Sequence, residues 1–185
     1  MKKVHPIRDK EIIQDMKVYL KEKNERDYVL FVLGINTGLR IGDILKLKVG
    51  DVRGDEFTVE EMKTGKLKEV PINRSLRSAL KPYIKGKPDD EFLFLSRKRD
   101  RKKKGRPIDR STAYTIIKEA AVACGFKNNC GTHTMRKTFG YMHYKKNGNI
   151  AALQKIFNHD EPLTTYIYIG LEKDYLDKTY MDLNL

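Results

Sequence analysis

Tyr28-Val29-Leu30-Phe31-Val32-Leu33-Gly34-Ile35-Asn36-Thr37-Gly38-Leu39-Arg40 is almost continuously apolar through Ile35 and then turns abruptly to small and polar residues. A helix apolar on nearly every face is buried. The stretch therefore reads as a buried helix that delivers Thr37-Gly38-Leu39-Arg40 at its end, before residues 41–47 turn helical again. Arg40 is thus expected on a rigid element.

Upstream, Asp9 can cap a first helix over residues 10–22, with Ile12, Ile13, Met16, Tyr19 and Leu20 forming its apolar stripe. Downstream, Phe57 and Val59 alternate with polar residues, Lys63-Thr64-Gly65-Lys66 supplies turn chemistry, and residues 70–72 read as a returning strand. This predicts a β-hairpin with Lys63 near its tip. Residues 76–85 read as a short helix bent or ended by Pro82, and residues 91–95 as a further strand. Asp109 caps a helix whose apolar positions Ala113, Ile116, Ile117, Ala120, Ala121 and Cys124 recur at helical spacing, with Gly125 ending it. Another helix spans residues 132–146, with Met135, Phe139 and Met142 toward the core and Gly148 as its stop. A short helix over 149–157 leads to His159, Pro162 opens the helix bearing Tyr166 and Tyr168, and the residues from 171 form a tail helix. The fold class is α+β, a mainly helical domain with a small antiparallel sheet.

The 185 residues suffice for one domain with a single core, at 39% hydrophobic content. With 38 Lys and Arg against 25 Asp and Glu, the formal charge is +13, which attracts polyanions, nucleic acid first among them. Neither an apolar run of membrane-spanning length nor a lipidation signal is present, and the N-terminus lacks a secretory apolar stretch, so a cytoplasmic protein with no membrane partner is expected. Cys124 and Cys130 fit a reducing compartment without a disulfide. Their spacing from His133 and His143 argues against a zinc site, and no metal is expected. From 97 to 106, eight of ten residues are basic, and Arg97, Lys98, Arg99, Arg101, Lys102, Lys103, Lys104 and Arg106 read as a mobile loop contacting phosphates.

Five separated polar residues carry the chemistry: Arg40, His133 and Arg136 in His133-Thr134-Met135-Arg136, His159 and a late tyrosine. Substitution at a phosphodiester gathers charge on two non-bridging oxygens, which the planar fork of Arg can hold at any physiological pH. A tyrosine hydroxyl, with an ordinary pKa of about 10, needs a base or a cationic setting to act as a nucleophile. His133 and the arginines can supply both, and Lys63 can protonate the leaving sugar oxygen. Tyr166 and Tyr168, two apart on a helix, face different ways, so only one can meet the phosphate.

This ordered set resembles the catalytic domain of the tyrosine recombinases, or phage integrase family. Thr37-Gly38-Leu39-Arg40 resembles the family's first arginine motif, and Asp43 stands at the acidic position that buttresses it. Lys63-Thr64-Gly65 resembles the hairpin lysine, and Val70-Pro71-Ile72 the strand after it. His133-Thr134-Met135-Arg136 matches the His-x-x-Arg box and His159 the second histidine. Thr164-Thr165-Tyr166-Ile167-Tyr168 resembles the family's Thr-Thr-x-x-Tyr ending, which places the nucleophile at Tyr168.

The resemblance implies a site-specific recombinase that cleaves double-stranded DNA, forms a 3′-phosphotyrosine, frees a 5′-hydroxyl and needs no cofactor, ATP or metal. It also implies a homotetramer on paired sites and passage of the C-terminal segment to a neighbour. Residues 1–170 are then the catalytic domain and 171–185 the tail. Two departures stand out: the family's N-terminal core-binding domain is expected to be absent, so the chain reads as a minimal stand-alone recombinase, one that borrows an accessory partner's DNA-binding domain, or a catalytic fragment, and Asn158 replaces the glycine common before the second histidine. Asn tolerates left-handed backbone nearly as well. Rival readings are a type IB topoisomerase, which relaxes DNA without pairing two sites, and a non-cutting DNA-binding accessory protein.

Overall fold

The computed structural model describes residues 4–63, 65–97 and 105–183. Helix α2 (Glu25–Thr37) lies at the centre, packed against α1 (Lys10–Lys23), α4 (Arg74–Tyr83) and α6 (Thr132–Asn147). Neighbours on several sides explain its apolar run: Val29 through Gly34 are all buried. Asn24 joins α1 to α2, its N–H donating to Leu20 O while its side chain accepts from Arg26 N, so one residue closes one helix and opens the next. The α1 cap at Asp9 is as the sequence implies.

Gly38 ends α2 in the left-handed region, at φ +65. The chain then turns through Arg40 into α3 (Ile41–Ile44), shorter than the helix expected over 41–47. It stops because Lys48 leaves to bridge Phe92, with Lys48 N donating to Asp51 Oδ2. A single 3₁₀ turn, Gly50–Val52, leads to strands β1 (Glu56–Glu60) and β2 (Leu67–Pro71), antiparallel with Phe57 opposite Val70 and Val59 opposite Lys68. Pro82 falls in the last turn of α4, where it ends the helix.

Residues 91–95 do not form the expected strand. Phe92 and Leu95 make isolated bridges to two different partners, Lys48 and Pro107, and Pro107 has no N–H with which to extend a ladder. Ser96 N to Arg106 O and Ile108 N to Phe94 O instead tie together the two ends of the basic segment.

Helix α5 (Arg110–Ala123) carries its Asp109 cap, with Gly125 at φ +73 just beyond it. Helices α7 (Ile150–Phe157), α8 (Pro162–Ile169) and α9 (Leu171–Asp182) complete the chain. Among the described residues three apolar clusters result. One joins α2 to the hairpin and α4, a second joins α1, α2, α5 and α6, and a third holds Tyr141, Leu153, Phe157, Ile169 and Leu171. In the third, α6 approaches closely at Gly140, where a Cβ would fall 2.6 Å from Ile169 and 2.8 Å from Phe157. The tail helix starts at once after Gly170, whose carbonyl accepts from Arg8 Nη2 at 2.9 Å, and Arg8 also pairs with Asp174. Among the described residues no helix is long and apolar enough to cross a membrane.

Gly38 is held by two constraints, its positive φ and Phe139, whose Cδ1 lies 2.5 Å from where a Cβ would project. Gly38→Ala is expected to lower the unfolding free energy by about 1–2 kcal/mol from the backbone alone, with displacement of Phe139 in addition. Chemical denaturation checks this, and an unchanged midpoint would contradict it.

Candidate active site

Four elements converge at one end of α2. Arg40 stands at the N-cap of α3, and its Nη1 lies 3.0 Å from Glu61 Oε1, on the residue that follows β1. Glu61 continues the inward alternation of Phe57 and Val59, so a carboxylate is buried where the strand pattern demands a core residue. Arg40 neutralises it. Asp43, 1% exposed, accepts from Met62 N at 2.9 Å and so fixes the residue next to Lys63. Lys63 is exposed at the hairpin turn and lines one cleft with Arg40, Asp43, Arg110 and His133.

His133 and Arg136 lie one turn apart on α6, the first at the cleft and the second beneath it. Arg136 is 2% exposed. Its Nη1 donates to Gly38 O at 2.5 Å and its Nη2 to Phe157 O at 3.0 Å, while the guanidinium lies 4.3 Å from the Phe157 ring centroid. A buried charge persists only when so bonded.

His159 follows Asn158, which ends α7 in the left-handed region at φ 52, the conformation for which glycine is usual. His159 Nδ1 lies 2.8 Å from the buried Thr165 Oγ1, which sets the ring's orientation. Tyr168 packs edge-on against His159 and Phe157, with centroids 5.3 and 5.6 Å away, and its hydroxyl lies 3.4 Å from His133 Nδ1. Tyr166 faces the other way, edge-on to Tyr144. Lys137 Nζ lies 4.9 Å from the Tyr168 centroid.

Burial pushes the Tyr168 phenol above its ordinary 10.0, while the charge and hydrogen bonding of Arg136 pull it back. Burial, then the charge of Arg136, lowers the pKa of both His133 and His159 from 6.5. At neutral pH both imidazoles are therefore uncharged, and a neutral His133 can accept the phenolic proton.

The structure thus brings together Arg40, Asp43, Lys63, His133, Arg136, His159 and Tyr168. It places Arg97 elsewhere, in a groove with Asn24, Tyr83 and Glu91. Arg106 sits at the base of the basic segment. Lys98, Arg99, Arg101, Lys102, Lys103 and Lys104 lie outside the described residues. Sequence reasoning missed Glu61, Lys68, Arg110 and Lys137. For Glu61 and Lys68 the signal was present, since strand alternation puts both on the inner face with Val59 and Val70. Cys124 and Cys130 are free thiols, and among the described residues no cluster of His, Cys, Asp and Glu could hold a metal.

The model of the phage integrase family matches residues 7–174. A probable integrase/recombinase of Bacillus subtilis, YoeC, is 47% identical over 178 residues, covering 96% of this chain and 95% of its own. Among solved structures, the XerA recombinase superposes with a TM-score of 0.75 at 23% identity over 98% of this chain. XerH, in a post-cleavage complex with its palindromic difH substrate, gives 0.72 at 19% over 97%. The chain spans 66% of the XerA chain and 53% of the XerH chain. The chain belongs to the phage integrase family and is a tyrosine-type site-specific recombinase.

Because their folded pKa values lie below 6.5, His133 and His159 take up protons more readily when unfolded, so their contribution to stability diminishes as pH falls through 6.5. Imidazole proton NMR of the folded chain should show both midpoints below 6.5. A midpoint at or above that value for His133 would remove it as the neutral base.

Proposed function

We propose that this chain cleaves and rejoins double-stranded DNA with Tyr168 as nucleophile. The observation that carries the reading is the approach of Tyr168 Oη to His133 Nδ1, at 3.4 Å, above the buried Arg136. As the Tyr168 Oη–P bond forms, the phenolic proton passes to His133, and the P–O5′ bond breaks with Lys63 protonating the leaving oxygen. Arg40 and Arg136 stabilise the charge on the two non-bridging oxygens, joined by His159. Asp43, through Met62 N, keeps the hairpin end beside Arg40. One phosphoester bond replaces another, so the attack of a second 5′-hydroxyl reseals DNA without an energy source.

The chain works as a homotetramer on paired sites, with or without an accessory DNA-binding protein, and 171–185 reaches a neighbouring copy. The face that α9 leaves uncovered supports this: Tyr175, Leu176, Tyr180 and Met181 are exposed, the last two at 78% and 81%. The eight basic residues of 97–106 bind the phosphate backbone as well.

Incubation with duplexes carrying a scissile-phosphate analogue whose leaving group cannot return should trap a denaturant-resistant adduct on Tyr168. Tyr168→Phe should abolish the adduct and spare binding, and Tyr166→Phe should keep it. An adduct persisting in Tyr168→Phe refutes the assignment. Replacing the basic residues of 97–106 with Ser should weaken binding and flatten the slope of log K against log salt by about one for each phosphate no longer neutralised. An unchanged slope would mean that the segment touches no phosphate.

A further inference from the structure

Lys68 has no part in the chemistry above, yet its side chain points inward. Along β2 and the residue that follows it, residues 68, 70 and 72 share one face, and Val70 and Ile72 on that face are buried core. A lysine in this series requires a partner for its ammonium. The partner is the end of α7: Lys68 Nζ donates to Ile156 O at 2.8 Å. That carbonyl belongs to the last turn of the helix, where the unsatisfied C=O groups and the macrodipole favour a cation. Two residues away, Lys66 Nζ donates to Asn158 Oδ1 at 3.2 Å, and Arg136 caps the adjoining Phe157 O.

The hairpin that ends in Lys63 is therefore fastened by its second strand to the turn that presents His159. The two ends of the proposed site meet through this contact, because Lys63 lies five residues before Lys68 and His159 three after Ile156. We propose that Lys68 is a positioning residue of the recombinase site, clamping the β1–β2 hairpin to the C-terminus of α7 so that Lys63 and His159 share one register about the phosphate. The proposal rests on the DNA-cleaving reading given above.

The groups that face Lys68 are Arg136 from α6, Arg40 from the α2–α3 turn, Glu61 beyond β1 and Asp43 from α3, besides the α7 carbonyl. Burial, followed by the Arg136 charge, lowers the Lys68 pKa from 10.5 to about 8. The ammonium is present at neutral pH and is lost as pH rises through that value, and with it the charge on the α7 terminus. A guanidinium in its place would not titrate there.

Two measurements on the full chain test this. Without DNA, the backbone amides of Asn158 and His159 are followed by NMR from pH 6.5 to 9.5. An inflection near 8 is expected in the native chain and its loss in Lys68→Arg. An inflection unchanged in Lys68→Arg, or none in the native chain, overturns the clamp. With the duplex captured by the native chain, Lys68→Met should slow adduct formation at saturating DNA by about 100-fold, the cost of a misplacement of about 1 Å, with far less change in affinity. Lys68→Arg should restore the rate and carry it to higher pH. A native rate in Lys68→Met overturns the positioning role. If the native chain forms no adduct with any duplex, the cleavage reading fails instead, and the DNA-free titration still decides whether Lys68 clamps α7.

Discussion

Every part of the site depends on the burial of one cation. Arg136 donates to the carbonyls of Gly38 and Phe157, the terminal groups of α2 and α7, from the second turn of α6. Each carbonyl lies at a helix end, and leaving a buried one unpaired costs about 1–3 kcal/mol. A guanidinium has a fixed fork with five donors, so two bonds to protein leave donors free for an anion. The residue that holds three helix segments together is thus also positioned to receive a phosphate, and the fold and the site share a single centre.

Around that centre the charges are arranged in pairs. Glu61 offsets Arg40, whereas Lys68 is held by a helix terminus. The surplus is positive; it adds to burial in lowering the pKa of both histidines, and it opposes the effect of burial on Tyr168. The polarity suits a reaction in which a phenol must lose a proton and a phosphate must gain charge. In the proposed reaction the neutral His133 takes the proton, while the permanent cations and His159 stabilise the charge.

The helices were legible because their signals are local. Apolar spacing and the caps Asp9 and Asp109 required nothing from distant sequence, whereas the left-handed backbone at Asn158 was signalled by the glycine that the family commonly places there. The site was legible as an ordered set, but choosing Tyr168 over Tyr166 needed a family pattern, because helical geometry alone only separates their faces. The missing pieces were long-range. Whether residues 91–95 pair with one strand or bridge two segments depends on where Lys48 and Pro107 lie in space. Glu61 and Lys68 were overlooked because a charged residue on a strand reads as solvent-exposed until its inward register is compared with its neighbours. Arg110 escaped because it opens a helix remote in sequence from the motifs.

The third apolar cluster has a thermodynamic consequence. Among the described residues it contains five that are buried, against the far larger set joining α2 to the hairpin, and it supplies the apolar seat of α7 and α8. A domain whose core is divided so unequally does not open all at once; segments held by less buried apolar surface exchange their amide protons through sub-global openings. Tyr168, the proposed nucleophile, therefore lies on a segment seated by the smaller cluster, and Arg136 ties the neighbouring end of α7 to the end of the central helix α2.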